Sequence, residues 1–157
     1  MKAVDIYIGT SLRGPAKGKG RVMYLMSAKK ADGTPHEPPP RIAEYEETTE
    51  GGLTLYALRD ALDRFNFACE ITVHTECAYV ADALNQRWPW QWAGNGWKNP
   101  KQKEVKNACL WSDVLRLLEE GGHLVKAEGR HEYSELMRYR LPLLAAYQDF
   151  FSEVKEW

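Results

Sequence analysis

Cysteine is scarce in this chain, and its three cysteines lie far apart. Cys69, Cys77 and Cys109 form no CxxC pair and have no histidine pair nearby. An odd number at this spacing argues against a disulfide framework and against a zinc site. We therefore expect free thiols in a reducing compartment, the cytoplasm.

Long hydrophobic runs are also lacking. The sequence has no run of about 18 apolar residues, the length that a membrane-spanning helix needs. The N-terminal MKAVDIYIG lacks the long apolar stretch that a signal peptide carries. We therefore expect neither membrane insertion nor secretion, which agrees with a cytoplasmic protein.

Neither sign of charge predominates in the chain. The 21 Lys and Arg nearly balance the 22 Asp and Glu, so net charge neither favours nor excludes a polyanionic partner. With 157 residues the chain has the size of one domain and can bury a core without disulfides. We expect a single domain over 1–157, and only a local cluster of charge can indicate a partner.

The sequence before residue 50 has the pattern of three antiparallel strands. The predicted strands are residues 4–8, 21–28 and 41–47, and loops rich in Gly and Pro separate them. After these strands the apolar residues recur at helical spacing, so that one stripe can pack on the sheet while polar residues such as Asp60 remain in water.

An alternation of strand and helix follows. The predicted elements are a buried strand over 70–75, a helix over 79–88, a third helix that ends at Gly121-Gly122, a strand over 123–127 and a helical remainder that Pro142 breaks or kinks. Strands followed by this alternation predict an α/β protein whose mixed sheet carries helices on its faces.

A dense series of polar and aromatic residues lies between residues 71 and 118. Its members are Thr75, Glu76, Tyr79, Val80, Trp88, Trp92, Gly96, Trp97, Lys98, Val105, Lys106, Asn107, Leu110 and Trp111. In order and spacing they resemble the bacterial-type ribonuclease H family, with its T-D-S-x-Y-V strand end, GW-K element and VKN-x-x-LW. The resemblance extends over roughly residues 4–140. It implies a mixed five-stranded sheet with helices on both faces. Residues 141–157 lie beyond the resemblance, and their own pattern predicts a C-terminal helical extension.

The resemblance also implies an active site, most of whose acids are replaced here. Family members cut the RNA strand of RNA/DNA hybrids with two magnesium ions that four carboxylates hold. The corresponding residues in this chain are Gly9, Thr54, Glu76 and Ser134. Only Glu76 keeps a carboxylate. It is therefore the one catalytic candidate among these four positions, and at most a weak metal ligand. The resemblance therefore implies a protein impaired or inactive in hybrid cleavage, which would need Mg or Mn only if it is active.

Acids at shifted places leave an alternative open. Asp5, Glu50 and either Glu132 or Glu135 would rebuild a rearranged carboxylate site, and the chain would then be a metal-dependent ribonuclease H. Each acid also has a simpler explanation, since a helix start such as that near Glu50 favours acids through the helix dipole. His131 is a candidate remnant of the mobile histidine that many family members carry.

The clearest basic cluster of the chain spans residues 88–107. The resemblance places here a protrusion that grips the hybrid, where lysines would neutralise phosphates and tryptophans would pack against sugars or one another. Alternatively, the tryptophans fix the protrusion on its neighbours and the lysines form a solvated turn. Thr49 and Asn107 match backbone-contacting positions, although Asn107 could instead cap the next helix. The predicted nucleic-acid-binding residues are Thr49, Trp88, Trp92, Trp97, Lys98, Lys101, Lys103, Lys106 and Asn107.

Two further features have structural and functional interpretations. His74 lies within a buried strand pattern, where a satisfied core histidine is commoner than a base. The apolar C-terminal segment LPLLAAYQDFFSEVKEW could close the core, or could make the chain a non-catalytic scaffold for a protein partner.

Overall fold

The computed structural model describes residues 1–150, which form one sheet and five α-helices. In chain order the elements are β1 (Lys2–Thr10), β2 (Gly18–Lys29), β3 (Pro35–His36), β4 (Arg41–Thr48), α1 (Glu50–Asp63), β5 (Cys69–His74), α2 (Ala78–Asn85), α3 (Trp88–Gly94), α4 (Ala108–Gly121), β6 (Leu124–Glu128) and α5 (Ser134–Arg140), followed by a 3₁₀ turn (Leu141–Leu143).

The sheet has the predicted mixed topology. β1 pairs antiparallel with β2, and β5 lies parallel to both β1 and β6. The outer edge of β2 pairs antiparallel with β4 and, over two residues, with the short strand β3, which the sequence did not predict. The strand order β3-β2-β1-β5-β6, with β4 also on β2, confirms three main antiparallel strands followed by βαβα.

Alternation along β1 separates the two faces of this sheet. Val4, Ile6 and Ile8 are at most 3 % exposed and belong to the main core, which α1 and α4 cover. Asp5 and Tyr7 point to the opposite face because successive strand residues alternate. There α5 packs on β1, which confirms helices on both faces.

The ends of two helices follow from their local sequence. Thr49 precedes α1, and its Oγ1 accepts a hydrogen bond from the Gly52 N–H at 3.1 Å, which satisfies one of the free donors of the first turn. α4 ends at the predicted glycine pair, and Gly122 adopts a φ of 66°. Glycine suits this left-handed conformation because it has no Cβ.

The predicted helix over 79–88 is wrong in its extent. α2 already ends at Asn85, and Arg87 takes a left-handed φ of 63° before α3 begins at Trp88. Pro89 lies in the first turn of α3, where its missing N–H and fixed φ favour a helix start.

Asp60 was predicted to remain in water, but the structure buries it, with 5 % of its surface exposed. It accepts a hydrogen bond from the Tyr24 hydroxyl, and the Arg41 Nη1 lies 3.3 Å from the same carboxylate. Arg64 donates to the Tyr24 hydroxyl at 2.9 Å. Burial raises the pKa of Asp60, and these hydrogen-bonding and cationic neighbours oppose that rise.

Residues 141–150 do not form the predicted helical extension. After the 3₁₀ turn the chain runs alongside β4, and the Tyr147 N–H donates to the Ile42 carbonyl at 2.8 Å. The Glu44 N–H donates back to the Tyr147 carbonyl at 2.9 Å. The segment therefore extends the sheet edge instead of continuing α5.

The same segment closes part of the core. Phe150 is 1 % exposed and packs edge-on against Tyr24, with ring centroids 5.5 Å apart. This agrees with the core-closing interpretation of the C-terminal segment. Residues 151–157, the rest of the predicted extension, lie outside the described part of the chain.

Two simpler predictions concern the thiols and the membrane. Cys69 and Cys77 are buried, Cys109 is exposed, and all three are free, as expected. Within residues 1–150, none of the helices combines the length and the apolarity that a bilayer crossing requires.

Candidate functional site

A narrow cleft lies at the edge of the sheet where the parallel strands β1 and β5 end side by side. Its volume is about 10 Å³, roughly the room that one water needs. The lining residues are Ile8, Gly9, Thr10, Arg13, Glu50, Thr75, Glu76, Cys77, Ser134 and Arg138. Three of the four predicted active-site positions, Gly9, Glu76 and Ser134, are therefore neighbours here.

Gly9 faces α5 at a very short distance. A Cβ added to Gly9 would lie 2.7 Å from the Cβ of Met137 and 2.9 Å from its Sδ. Contacts below about 3 Å between such atoms require the backbone to shift, because a Cβ cannot rotate away. The packing of α5 on β1 therefore leaves no space for an acidic side chain at residue 9.

The other two replaced positions have local structural roles. The Thr54 side chain is fully buried, does not line the cleft, and donates a hydrogen bond to the Glu50 carbonyl at 2.8 Å. Ser134 does line the cleft, and its Oγ accepts from the His131 N–H at 2.9 Å at the start of α5. Both hydroxyls thus serve backbone groups.

Two arginines, which the sequence did not single out for this site, lie in the same cleft. The Arg138 Nη2 is 3.4 Å and 3.5 Å from the two Glu76 carboxylate oxygens. Arg13 is held at its Nη1 by Thr10, whose carbonyl and hydroxyl oxygens both lie at 2.8 Å, and by the Leu12 carbonyl. With Glu50 and Glu76, the cleft has two carboxylates and two guanidiniums and no net charge.

Of the four shifted acids, only Glu50 lines the cleft, where its Oε1 accepts from the Gly14 N–H at 3.2 Å. Asp5 lies on the open sheet face and pairs with His74 at 2.8 Å. Glu132 and Glu135 are exposed on the α5 side. Neither Asp5 nor either of Glu132 and Glu135 joins Glu50 in the cleft, so the rearranged carboxylate site is not assembled there.

The two histidines near the cleft are both engaged. His74 bridges Asp5 and Glu128, with its Nδ1 3.5 Å from the Glu128 carboxylate, so it is a satisfied histidine, although it lies on the sheet face rather than in the core. The His131 Nε2 lies 3.0 Å from the Ile8 carbonyl, and its Nδ1 accepts from the Tyr133 N–H at 3.1 Å. This assigns the proton to Nε2, and burial lowers the pKa of His131.

A second, larger pocket of about 260 Å³ adjoins the cleft. Its lining residues are Gly14, Pro15, Thr49, Glu50, Gly51, Cys77, Tyr79, Lys106 and Asn107. It opens at the start of α1, where backbone N–H groups lack partners within the helix and the helix dipole favours anions. Three of the predicted nucleic-acid residues, Thr49, Lys106 and Asn107, therefore line this pocket together.

Asn107 does not cap α4, which leaves its side chain available to this pocket. It precedes α4 with a left-handed φ of 60°, and its side chain makes no capping hydrogen bond. The Nδ2 group is buried and has no hydrogen-bond partner of good geometry among the described residues. The Tyr79 hydroxyl lies close to it: burial raises the pKa of Tyr79, and the Trp111 and Asn107 side chains lower it.

Tyr79 fixes the backbone on which Asn107 lies. Its hydroxyl accepts from the indole of the buried Trp111 at 2.7 Å and donates to the Lys106 carbonyl at 3.1 Å. Gly51 completes the wall, since a Cβ there would meet the Tyr79 ring at 3.1 Å and lie 3.6 Å from the Asn107 Nδ2. A bulky residue at 51 would therefore fill the pocket.

The tryptophans of residues 88–107 are half-buried and pack on the main core. Trp92 makes contact with Trp88 and, edge-on, with Trp111 of α4, at centroid distances of 6.2 and 5.9 Å. Trp97 also packs against the core and has a left-handed φ of 62°. This packing supports their structural interpretation, and a contact of Trp88, Trp92 or Trp97 with nucleic acid stays a prediction.

The lysines of the same segment differ in their surroundings. Lys98, Lys101, Lys103 and Lys106 are all exposed, and among residues 1–150 none of the four has an ion-pair partner within 4.0 Å. All four lie in one short segment that also holds the exposed Glu104, and Lys106 lines the second pocket.

Sequence comparison connects these features to known proteins. The chain matches the family model described as RNase H over residues 1–128. It is 27 % identical over 142 residues to the ribonuclease H of Chlorobium phaeobacteroides, covering 88 % of this chain and 92 % of that relative. With the ribonuclease H of Caldicellulosiruptor saccharolyticus it shares 39 % identity over 83 residues, which span 53 % of this chain and 56 % of the relative.

Structural comparison gives the same fold. A type 1 RNase H with the type 2 active-site motif superposes with a TM-score of 0.69 at 18 % identity, over 90 % of this chain and 69 % of that one. The foamy viral protease-reverse transcriptase in complex with RNA/DNA hybrid gives 0.64 at 18 % identity, over 89 % of this chain and 19 % of that one. At this identity the likeness concerns the fold, which it confirms.

Proposed function

Because this chain belongs to the ribonuclease H family, we propose that it binds RNA/DNA hybrids or related duplexes but is impaired or inactive in cutting them. The single observation that carries this proposal is the composition of the cleft at the ends of β1 and β5. There Glu76 pairs with Arg138 and α5 fills the space beside Gly9.

The residues of this cleft do not fit a pair of magnesium ions. Mg²⁺ requires close octahedral oxygen coordination, and a two-metal site in proteins is built from several carboxylates. Residues 1–150 contain no group of three or more His, Cys, Asp or Glu arranged to hold a metal ion. The guanidinium on Glu76 would also have to leave before that carboxylate could serve as a ligand. We therefore assign no catalytic step to a metal.

The second pocket and the lysine surface support binding. A backbone phosphate in that pocket would find the Thr49 side chain, the Asn107 amide and the start of α1, which together donate hydrogen bonds to an anion. Lys106 lines this pocket, and Lys98, Lys101 and Lys103 are exposed in the segment just before it. The solved foamy viral relative holds an RNA/DNA hybrid, which makes a hybrid the first duplex to test.

Paired lysine substitutions test the binding half of the proposal. We expect Lys101→Ala/Lys103→Ala to weaken hybrid binding and to lower the slope of log K against log salt by about 2, since each phosphate contact contributes nearly one unit. Lys29→Ala/Lys30→Ala is the matched control, because it removes the same charge at the end of β2 that lies beside β3 and the start of β1, away from the cleft. Equal slopes for the two double variants would contradict the proposed surface.

A rearranged metal-dependent nuclease is the second candidate. It is favoured by one observation, that Glu50 and Glu76 line the same cleft. Incubation of labelled hybrid, duplex and single strand with Mg²⁺ or Mn²⁺ decides between the two candidates. Cleavage that Glu76→Ala abolishes would support the nuclease, whereas intact strands, or cleavage that Glu76→Ala leaves unchanged, would exclude it.

A further inference from the structure

The cleft contains two cations whose presence the loss of metal ligands does not by itself explain. Replacing acids by Gly9, Thr54 and Ser134 removes negative charge, but it does not require arginines at the same place. Arg13 comes from the β1–β2 loop and Arg138 from α5, so two separate parts of the chain bring guanidiniums to one cleft.

Arg13 is held in place by its own loop. Three oxygen acceptors, all within 2.9 Å, bind its Nη1. A guanidinium has five N–H donors in a rigid plane. Within residues 1–150 the hydrogen bonds of Arg13 engage Nη1 alone, which leaves the Nη2 and Nε donors for another acceptor. Because one edge of the group is already fixed, a ligand pays a smaller entropic cost for ordering the Arg13 side chain.

Arg138 is held more loosely than Arg13. Its two contacts with Glu76 are 3.4 and 3.5 Å long, longer than the usual charge-assisted hydrogen bond of about 2.8 Å. Half of its side chain is exposed, against 26 % for Glu76. The guanidinium can therefore bind an anion at the mouth of the cleft while it remains near the carboxylate.

We propose that Arg13 and Arg138 form a metal-independent site for a phosphodiester group, so that this cleft holds a backbone phosphate of the duplex through guanidinium groups. This inference rests on the proposed hybrid binding and adds where and how one phosphate is held. The cleft itself, at about 10 Å³, admits no phosphate, so the phosphate lies at its mouth. Planar guanidiniums suit this ligand because they bind phosphate oxygens in a bidentate manner.

Binding of a labelled RNA/DNA hybrid in EDTA, and in Mg²⁺ at the same ionic strength, tests the site. We expect comparable affinity in both buffers for the unaltered chain, and a loss of about tenfold for Arg138→Gln in EDTA. Arg13→Gln should give a similar loss, and Arg138→Lys an intermediate one. Arg140→Gln is the matched control, since it removes the same charge from an exposed residue of the same helix. It should change affinity by less than about twofold.

Glu76→Gln separates the guanidinium site from a metal site. If Arg138 binds the phosphate, this substitution removes the carboxylate that competes for the guanidinium. The affinity for the hybrid in EDTA should then rise several-fold. A site that binds phosphate through a metal on Glu76 predicts the opposite, a loss of affinity that appears only in Mg²⁺.

The possible outcomes distinguish this inference from the proposed function. If the unaltered chain binds hybrid but Arg138→Gln and Arg140→Gln behave alike, or if binding requires Mg²⁺, the guanidinium site is overturned and hybrid binding stands. If the unaltered chain does not bind hybrid even at low salt, both are overturned.

Discussion

The backbone of Gly9 lies so close to α5 that a side chain at this residue would force the helix to move. We expect Gly9→Ala to lower the free energy of unfolding by about 1–3 kcal/mol, the usual cost of overpacking a filled site. The added Cβ would meet the Met137 Cβ at 2.7 Å, and that atom cannot rotate away. Urea denaturation measures the change.

Gly18 provides the matched control, since it also lies in a strand and a Cβ there meets nothing within 4 Å. Gly18→Ala should leave stability within about 0.5 kcal/mol of the unaltered chain, or raise it slightly. Equal effects of the two substitutions would show that α5 does not press on β1 in solution.

His131 is expected to make stability depend on mildly acidic pH. Its folded pKa is lowered, chiefly because burial disfavours the charged ring, whereas in the unfolded chain it takes up a proton near pH 6.5. Below that pH the unfolded state binds more protons, so stability falls as pH decreases toward the folded pKa. Nδ1 now accepts a hydrogen bond from the Tyr133 N–H. Protonation of Nδ1 would place two N–H groups face to face and break that hydrogen bond.

The measurement is the melting temperature between about pH 7 and pH 5 for the unaltered chain and for His131→Gln. The variant keeps an N–H donor for the Ile8 carbonyl but no longer titrates, so its loss of stability on acidification should be smaller. His123, whose pKa burial also lowers, titrates in both chains and does not affect the difference. An unchanged pH dependence in the variant would rule out this role for His131.

Single residues also show where sequence reasoning was insufficient. Asp60 lies on the polar side of the helical pattern, so its burial beside Tyr24 and Arg41 could not be predicted from helical spacing alone. Arg138 is an ordinary exposed arginine in the sequence. Only the arrangement of α5 across the end of β1 brings it to Glu76.

At the scale of elements, the C-terminal segment is anchored to the sheet edge by side chains as well as by backbone pairing. Arg41 donates to the Phe150 carbonyl at 2.6 Å, and its guanidinium lies over the Tyr147 and Phe150 rings at 5.6 and 5.8 Å. The buried Arg41 thus connects this segment to the Asp60 network inside the core. The segment therefore contributes to stability as an element of the fold.

Phe150→Ala tests this contribution. Because the ring is 1 % exposed, we expect a loss of about 3 kcal/mol in the free energy of unfolding. Leu143→Ala in the same segment is the control, since Leu143 is 81 % exposed and its truncation should cost less than about 0.5 kcal/mol. If Phe150→Ala is as mild as Leu143→Ala in urea denaturation, the segment does not close the core.

The strands and the long helices could be predicted because each buries one face and exposes the other, which sets the spacing of its apolar residues. The break between α2 and α3 could not be predicted in the same way, because Arg87 adopts a left-handed φ that its residue type does not indicate. The C-terminal segment has apolar residues at helical spacing, but backbone pairing with β4 competes successfully with a helix there.

At the scale of the whole molecule, the two pockets that we propose as phosphate sites adjoin each other. The cleft and the second pocket share Glu50 and Cys77 in their walls. Lys106 lines the second pocket and connects it along the chain to the exposed lysines of residues 98–103, so we propose that one duplex contacts both pockets and these lysines. The lysines and Asn107 could be predicted as binding residues from the sequence. The two pockets could not, because they form only where β1, α1 and α5 meet in space.

The central claim is that the chain binds a hybrid without cutting it, and one experiment reads both properties. A hybrid labelled on its RNA strand is incubated with the full chain and Mg²⁺, then divided between a native gel and a denaturing gel. We predict a shifted complex whose RNA strand is intact. A shortened RNA strand that Glu76→Gln restores to full length, or the absence of any complex at low salt, would contradict the account.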